Sequence, residues 1–505
     1  MNQRKAGLIL SYTSMGLNSI IALLYLPMLL HYLTKEQYGI YQLMGSIIAY
    51  LSIMDFGLAN TTTRYLAQAY ATKDMVRANK IISTSHSLYL IISVLLLVIG
   101  TIFYGFITPL YGETLSASNL AVAKQIYVIM LFNIAVFIPA NIFIATINAH
   151  EHFIFLRGLN LLKGLMQPLL VWGILAWQAS VLNLVLVQTG FNLCMIAVNY
   201  FYCKIKLRVS FPLNFSDRLL MRELTGFSIF IFLHAIMDQV YSRLGQVVLG
   251  AVSGAGAVAS YAIAIQLSSF SIGLPATMSG VFLPKISALS AGNPNMKEIN
   301  AIFCKIGRLQ FMFIMLLWVG FLFLGKTFIA LWIGPGYDIC YYLVLVIMGA
   351  YILDVSQNIG IPILQALKKH AFRAYTYVAM AALNVVLCIM LAKRCGEMGC
   401  AVAMAICLML GSGLAINWYY ARIGLDLRQF FSNLGGVFVG IFVAVLLNAG
   451  LCWFFPLQTT WFSFVWHGTV LVGIYGICIW LLSVNTYEKN LLLDPLKRVL
   501  RFCKF

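Results

Sequence analysis

The sequence predicts an all-α polytopic membrane protein, and three observations lead there. Of 505 residues, 62% are hydrophobic and only 10% are charged, whereas soluble globular chains carry roughly 25% charged residues. Apolar runs of about 20 residues, the length needed to cross roughly 30 Å of hydrocarbon, alternate with short polar breaks. Against 15 Asp and Glu stand 33 Lys and Arg, a net charge of +18. In a soluble chain such an excess would suggest nucleic acid or another acidic partner, so its distribution along the chain has to be sorted first.

Fourteen spans are expected, and each has its own justification. The first, 8–30, follows Arg4 and Lys5, exceeds the apolar region of a signal peptide and has no small-residue cleavage site, so it reads as retained. The second, 39–59, closes on Asp55-Phe56-Gly57, and 81–107 and 125–147 are continuous apolar runs. The fifth, 164–178, is short and is divided from 181–202 only by a tight turn at Gln178–Ser180. Beyond a cation-rich loop come 225–249, 257–283, 309–333, 339–364, 375–392 and 398–420, then 432–455 and 463–484. An even number places both termini on one side. Numbering the breaks alternately puts 27 of the 33 cations on the N-terminal side, which the positive-inside rule assigns to the cytoplasm. Most of the +18 is therefore a topological label.

An internal repeat appears at an offset near 220 residues. Tyr41 falls on Tyr261, Gly39 on Ala259, and Thr63–Ala67 on Leu283–Ser287. The expected organisation is a six-helix bundle at 1–203, a cytoplasmic linker at 204–224, a second six-helix bundle at 225–420, and two added helices with a basic tail at 421–505. Parallel repeats of this kind enclose a central cavity between spans 1 and 2 and spans 7 and 8.

The ordered motifs between spans 1 and 2 are Leu26-Pro27, Leu30-His31-Tyr32-Leu33, Gln37-Tyr38-Gly39-Ile40-Tyr41, Asp55-Phe56-Gly57-Leu58-Ala59 and Arg64-Tyr65-Leu66-Ala67. This series resembles the signature of the Wzx-like polysaccharide repeat-unit flippases, in the multidrug, oligosaccharidyl-lipid and polysaccharide exporter superfamily. The resemblance implies a non-enzymatic transporter in the bacterial cytoplasmic (inner) membrane. Such a transporter turns an undecaprenyl-pyrophosphate-linked oligosaccharide to the outer leaflet by alternating access, for O-antigen, capsule or exopolysaccharide synthesis. Its implied partners are that polyprenyl-linked cargo, membrane lipid, a polysaccharide polymerase and a chain-length regulator, with no nucleic acid. Two departures stand out. His31 occupies a place where family members commonly have Arg, and Ser242-Arg243-Leu244 stands where many have Asp-Arg-Leu, with the nearest acid at Asp238.

Charges inside a bilayer are costly, about 2.5 to 3.5 kcal/mol on insertion scales, and those that persist usually face the protein interior. Arg243, in the second half of span 7, is suited to a lipid pyrophosphate through its bidentate fork; otherwise it snorkels to the outer interface. His31, Arg64 and Lys285 extend this set of substrate-binding cations if they face the cavity, with positive-inside anchoring as the other reading for the last two. His234 and Asp238 share a helix face, and a partly desolvated carboxylate beside a His suits proton coupling. Alternatively, that pair simply neutralises Arg243. Asp55 either couples or gates, or accepts hydrogen bonds from the break at Gly57 and pairs with Arg64. Asp354, with Gln357 and Asn358 on its face, either lines the cavity or joins helices.

The remaining motifs point to packing. No Gly-rich phosphate loop is present, so an ion gradient, of H+ or Na+, or the substrate gradient is expected to drive transport in place of ATP. His150-Glu151-His152 has no further ligands near it and is read as no metal site, and no cofactor is expected. Cys395 and Cys400 flank an external turn and pair only if that compartment is oxidising. No break exceeds about 25 residues, which leaves no external loop for a membrane glycosyltransferase or polymerase. The alternatives on the same scaffold are a multidrug or cation antiporter, whose cavity should be acidic, and a flippase for lipid-linked peptidoglycan precursor.

Overall fold

The computed structural model describes residues 3–55, 57–213, 217–290, 295–485 and 488–489; side chains at 3–15, 218, 225–235, 237–238, 274 and 276–277 are outside the description. Seventeen α-helices run through the described chain without a strand. They are α1 Gln3–Tyr32, α2 Lys35–Ser52, α3 Leu58–Ala71, α4 Met75–Tyr111, α5 Ala117–Ala149 and α6 Phe153–Trp177. Next come α7 Val181–Phe201, α8 Arg218–Val252, α9 Ala255–Val281, α10 Leu283–Leu289, α11 Met296–Trp332 and α12 Asp338–Ser356. The chain ends with α13 Gly360–Ala366, α14 Ala371–Leu408, α15 Asn417–Arg422, α16 Leu427–Phe454 and α17 Trp461–Leu482.

Each expected span falls on a helix, but the number meeting a spanning criterion differs. Among the described residues, eleven helical stretches are long and apolar enough to cross a bilayer, and Gly16–Tyr32 is a shorter apolar one. One stretch, Ala371–Arg422, covers both 375–392 and 398–420. Gly396 interrupts it at φ 55, ψ −133, a backbone state open to glycine. The weakest expected boundary, at Gln178–Ser180, is a true break, because Ser180 accepts from Leu182 N and caps α7. Large apolar side chains such as Val98, Ile102, Phe442, Trp453 and Phe462 are exposed; lipid, not water, is the solvent that suits them.

The helix caps divide by side. At the Lys- and Arg-rich ends, Asp74, Asp217, Asn295 and Asp426 cap α4, α8, α11 and α16 by accepting from backbone N–H groups. At the opposite ends Thr34, Ser116, Ser180 and Thr460 do the same for α2, α5, α7 and α17. Three of the few acids are therefore helix caps, which serve the unpaired N–H groups and the positive end of each helix dipole. Gln37 of the family motif has a similar part. It donates its N–H to Thr34 Oγ1 (3.2 Å) and accepts from Thr34 N (3.1 Å), which completes a capping box.

The chain divides into two compact units, 1–262 with 388–400 and 263–387 with 401–505. The division differs from the expected boundary at 204–224, because α8 packs on α2, α3 and α4 and so groups with the first unit. In unit 1, α1 lies along α6 and α4 along α5. Ser93 Oγ donates to Ala135 O (2.6 Å) and Tyr127 Oη to Gly100 O (2.8 Å) across the second pair. Gly39 of the motif lets α2 approach the first turn of α9, since a Cβ there would collide with the carbonyl of Ala255. Gly39→Ala is expected to lower stability by about 1–3 kcal/mol through overpacking, read as a lower melting temperature of purified protein. An unchanged melting temperature would refute the contact.

In unit 2 the core gathers Phe303, Tyr420 and Phe430 with Ile286, Ile363 and Tyr475. The rings of Phe303 and Phe430 lie 4.8 Å apart. Arg308, counted from sequence among loop cations, is buried here. Its Nε donates to Glu488 Oε1 (2.8 Å) and its Nη1 to Asn433 O (2.7 Å). Nη2 donates to Ser483 O at the end of α17. In the 388–400 segment of unit 1, Cys400 has Cys388 as its thiol neighbour, at 2.9 Å, and Cys395 is exposed.

Candidate functional site

Arg243 lies on α8 and is partly buried. One turn further, buried Gln246 accepts from Ser46 Oγ of α2, which fixes this part of α8 on α2. Tyr41 and Tyr50, both on α2, are electrostatic neighbours of Arg243. Tyr41 Oη donates to Gln188 Oε1 (3.1 Å), and Gln188 Nε2 donates to Tyr25 Oη (3.1 Å). Helices α1, α2 and α7 thus join two phenols through a carboxamide, and the charge of Arg243 on α8 acts on one of those phenols and on Tyr50. Tyr50 Oη is buried without a hydrogen-bond partner. A guanidinium binds phosphate oxygens, and phenols and amides bond sugar hydroxyls, so the cluster is chemically matched to an anionic saccharide.

The remaining predicted cations are exposed. His31 is exposed in the last turn of α1, edge-on to Tyr32 at 5.0 Å. Arg64 is exposed on α3. Lys285 is exposed on α10 in unit 2, and its Nζ is 4.0 Å from Glu298 Oε1 with both side chains about half exposed. Such a surface pair contributes little. Arg64 and Lys285 do share a setting, as each is carried by a short helix after a break, the first following Gly57 at φ 68.

Among the acids, Asp55 ends a 3-10 turn at Ile53–Asp55, and its Oδ1 accepts from Asn141 Nδ2 (3.1 Å). Its partner is therefore on α5, not the backbone at Gly57. The side chains of His234 and Asp238 lie outside the described residues. Asp354, at the end of α12, is surrounded by donors. Its Oδ1 accepts from Ser412 Oγ (2.7 Å), Tyr377 Oη (2.8 Å) and Arg373 Nη2 (3.5 Å). Arg373 also donates to Tyr377 Oη (2.9 Å) and Tyr420 Oη (3.3 Å).

A π-helix at Met409–Ile416 presents Ser412 to this group. Asn417 donates to Ser412 O (3.0 Å) and Gly413 O (2.9 Å), and accepts from Gln357 Nε2 (2.7 Å). The spacing of spans places Arg373 in a loop, but it lies on α14, and the polar group joins α12, α14 and α15. Gln357, singled out on the face of Asp354, takes part through Asn417.

The His150-Glu151-His152 triplet is engaged locally. His150 Nδ1 is 2.9 Å from Thr146 O, and its ring lies 4.2 Å from that of Tyr70. His152 Nδ1 is 2.6 Å from Tyr202 Oη. Desolvation, with His150 and Lys206 nearby, lowers the His152 pKa. Among the described residues no group of three or more His, Cys, Asp or Glu is placed to hold a metal ion.

With this geometry in place, likeness to known proteins narrows the reading. Residues 5–290 match the family described as polysaccharide biosynthesis protein. The fold is similar to the lipid II flippase MurJ in an inward closed conformation, at TM-score 0.70 and 16% identity, covering 93% of this chain and 98% of that one. It is also similar to an inward-facing multidrug resistance MATE family transporter of the MOP superfamily, at TM-score 0.66 and 13% identity, covering 81% and 94%. A third likeness is to a MOP superfamily transporter from Pyrococcus furiosus, described for the reverse polarity of its binding pocket. Its TM-score is 0.56 at 13% identity, covering 84% and 96%. No curated protein sequence matches. At these identities the structures establish the fold.

Proposed function

The chain belongs to the polysaccharide biosynthesis protein family, and from that premise we propose that it flips a lipid-linked oligosaccharide. The cargo is an undecaprenyl-pyrophosphate-linked repeat unit, carried from the cytoplasmic to the outer leaflet of the bacterial cytoplasmic membrane by alternating access, for O-antigen, capsule or exopolysaccharide. Both termini are cytoplasmic. A polymerase and a chain-length regulator are the partners that use the product.

The observation that carries the proposal is Arg243 within electrostatic reach of Tyr41 and Tyr50, the first of which belongs to the network Tyr25–Gln188–Tyr41. Moving a pyrophosphate through a low-dielectric region requires a compensating cation, and Arg offers the fork that phosphate oxygens need. Around it the phenols and the carboxamide bond sugar hydroxyls without selecting one sugar. His31, Arg64 and Lys285 act as stations toward the two ends of the path. Asp55, Asp238 with His234, and Asp354 are the candidates for H+ or Na+ coupling or gating. Asp354 already accepts from three donors, so it serves as a joint between helices, and Asp55, which accepts from one amide, is the better coupling candidate. No step makes or breaks a covalent bond.

Peptidoglycan precursor, the cargo named for the MurJ neighbour, shares the pyrophosphate and is the second cargo to examine. A multidrug antiporter is the reading that the carboxylate at Asp55 favours. The test is a proteoliposome loaded with fluorescent undecaprenyl-pyrophosphate oligosaccharide, read by quencher accessibility. Transfer of the label to the protected leaflet is expected. Ethidium transport without lipid transfer would overturn the reading in favour of the antiporter.

A further inference from the structure

We propose that unit 1 holds a second ligand site, one to three turns along α7 from the Arg243 network, that takes a phosphate-bearing, hydroxylated headgroup. Helices α5, α6 and α7 line a partly open cavity of about 130 Å³. Asn160, Lys163, Asn192 and Asn199 line it with polar groups, and Phe137 and Ile196 with apolar ones. Asn199 is only 7% exposed. The Oδ1 atoms of Asn192 and Asn199 are buried and have no hydrogen-bond partner. Buried polar atoms in native proteins are nearly always bonded, so these two oxygens are acceptors for which the described residues supply no donor.

The placement follows from helix geometry. Gln188, Asn192 and Asn199 recur at intervals of four and seven on α7 and share one of its faces. Its first member already bonds Tyr25 and Tyr41. Asn160 and Lys163 lie three apart on α6 and share its face. Lys163, like Arg373 and Arg308, sits among the cations that span-counting places in loops, yet here it is a cavity residue.

The residues define the ligand class. An ammonium in the cavity disfavours a metal cation and attracts an anion, and the amide NH2 groups add neutral donors to it. A phosphodiester alone would leave both orphan oxygens unserved, because it brings only acceptors. A neutral sugar would leave Lys163 without countercharge. A headgroup with phosphate and hydroxyls uses every group, with its methylenes against Phe137 and Ile196. Two sources carry this chemistry: a glycerophospholipid such as phosphatidylglycerol, or the saccharide-phosphate head of the cargo. Only the second rests on the flippase reading.

The test uses the purified full-length chain, with bound lipid measured by native mass spectrometry. Phosphatidylglycerol is expected to bind at least tenfold tighter than phosphatidylcholine, which has the phosphate but no hydroxyl. Lys163→Met and Asn199→Leu should each abolish that preference. Asn199→Asp, which keeps the volume, should abolish it as well by setting a carboxylate against the phosphate. Displacement of the lipid by glucose 1-phosphate assigns the site to a saccharide phosphate, and resistance to displacement assigns it to the glycerophospholipid. Equal binding of the two lipids, or an undiminished preference in Lys163→Met and Asn199→Asp, overturns the site. Because binding is read without transport, its failure and failure of the flippase assay are distinguishable.

Discussion

Arg243→Ala is expected to slow translocation of a lipid-linked oligosaccharide at least tenfold at equal membrane abundance. A hydrogen bond to a charged group contributes about 1.5–3 kcal/mol, and about 1.4 kcal/mol is a factor of ten in rate. The anchors around this residue, Gln246 on Ser46 and Tyr41 on Gln188, do not depend on its charge, so the variant should fold and reach the membrane. Arg243→Lys should recover only part of the rate, since an ammonium keeps the charge and loses the fork. Arg64→Ala is expected to have a smaller effect, because Arg64 is exposed on α3 and an exposed charge is well screened. Measured in proteoliposomes, wild-type rates in both alanine variants would sink the claim that cations of this chain bind the cargo.

The largest effect on stability is expected at Arg308. Its guanidinium reaches Glu488 Oε1 at 2.8 Å, Asn433 O at 2.7 Å and Ser483 O, with the ion-paired side chains 9% and 5% exposed. Arg308→Met strands a buried carboxylate and leaves a carbonyl at the end of α17 without its donor. Breaking a buried pair on one side typically costs about 3–5 kcal/mol. The double variant Arg308→Met, Glu488→Met should recover most of that loss, because it removes the stranded charge. Thermal unfolding of the purified protein tests both. A single variant as stable as wild type would show that the pair does not secure α16 and α17 to α11.

These two arginines show how far the sequence could be read. Arg243 was visible because it interrupts an apolar run, and a charge where hydrocarbon is expected is informative by itself. Arg308 and Arg373 were not, since each lies near a span end, where a Lys or Arg normally labels the cytoplasmic side. Whether such a side chain turns outward or into a core depends on what the neighbouring helices present. Glu488 is 180 residues from Arg308 along the chain, and Asp354 is 19 from Arg373. Tyr25 and Gln188 were missed for the same reason. Tyrosine and glutamine are unremarkable in a membrane helix until a partner 163 residues away completes the hydrogen bond. Lys163 was absorbed into the topological count, and only the cavity shared by three helices separates it from that count.

The motif residues divide in an instructive way. Gln37 and Gly39 turned out to be a helix cap and a close backbone approach, so part of the family signature records folding and not cargo. Tyr41, next in the same run, belongs to the Arg243 network.

By itself the sequence determined the helical membrane class, the positions of the helices and the family resemblance. Those depend on hydrophobic length and local order, which a single chain displays directly. Tertiary structure decided which charges are buried, which carboxylate is already satisfied and which amide oxygens are left unpaired. The physical reason is that solvation and hydrogen bonding of a polar group are set by atoms brought next to it from distant segments, and that proximity is a property of packing.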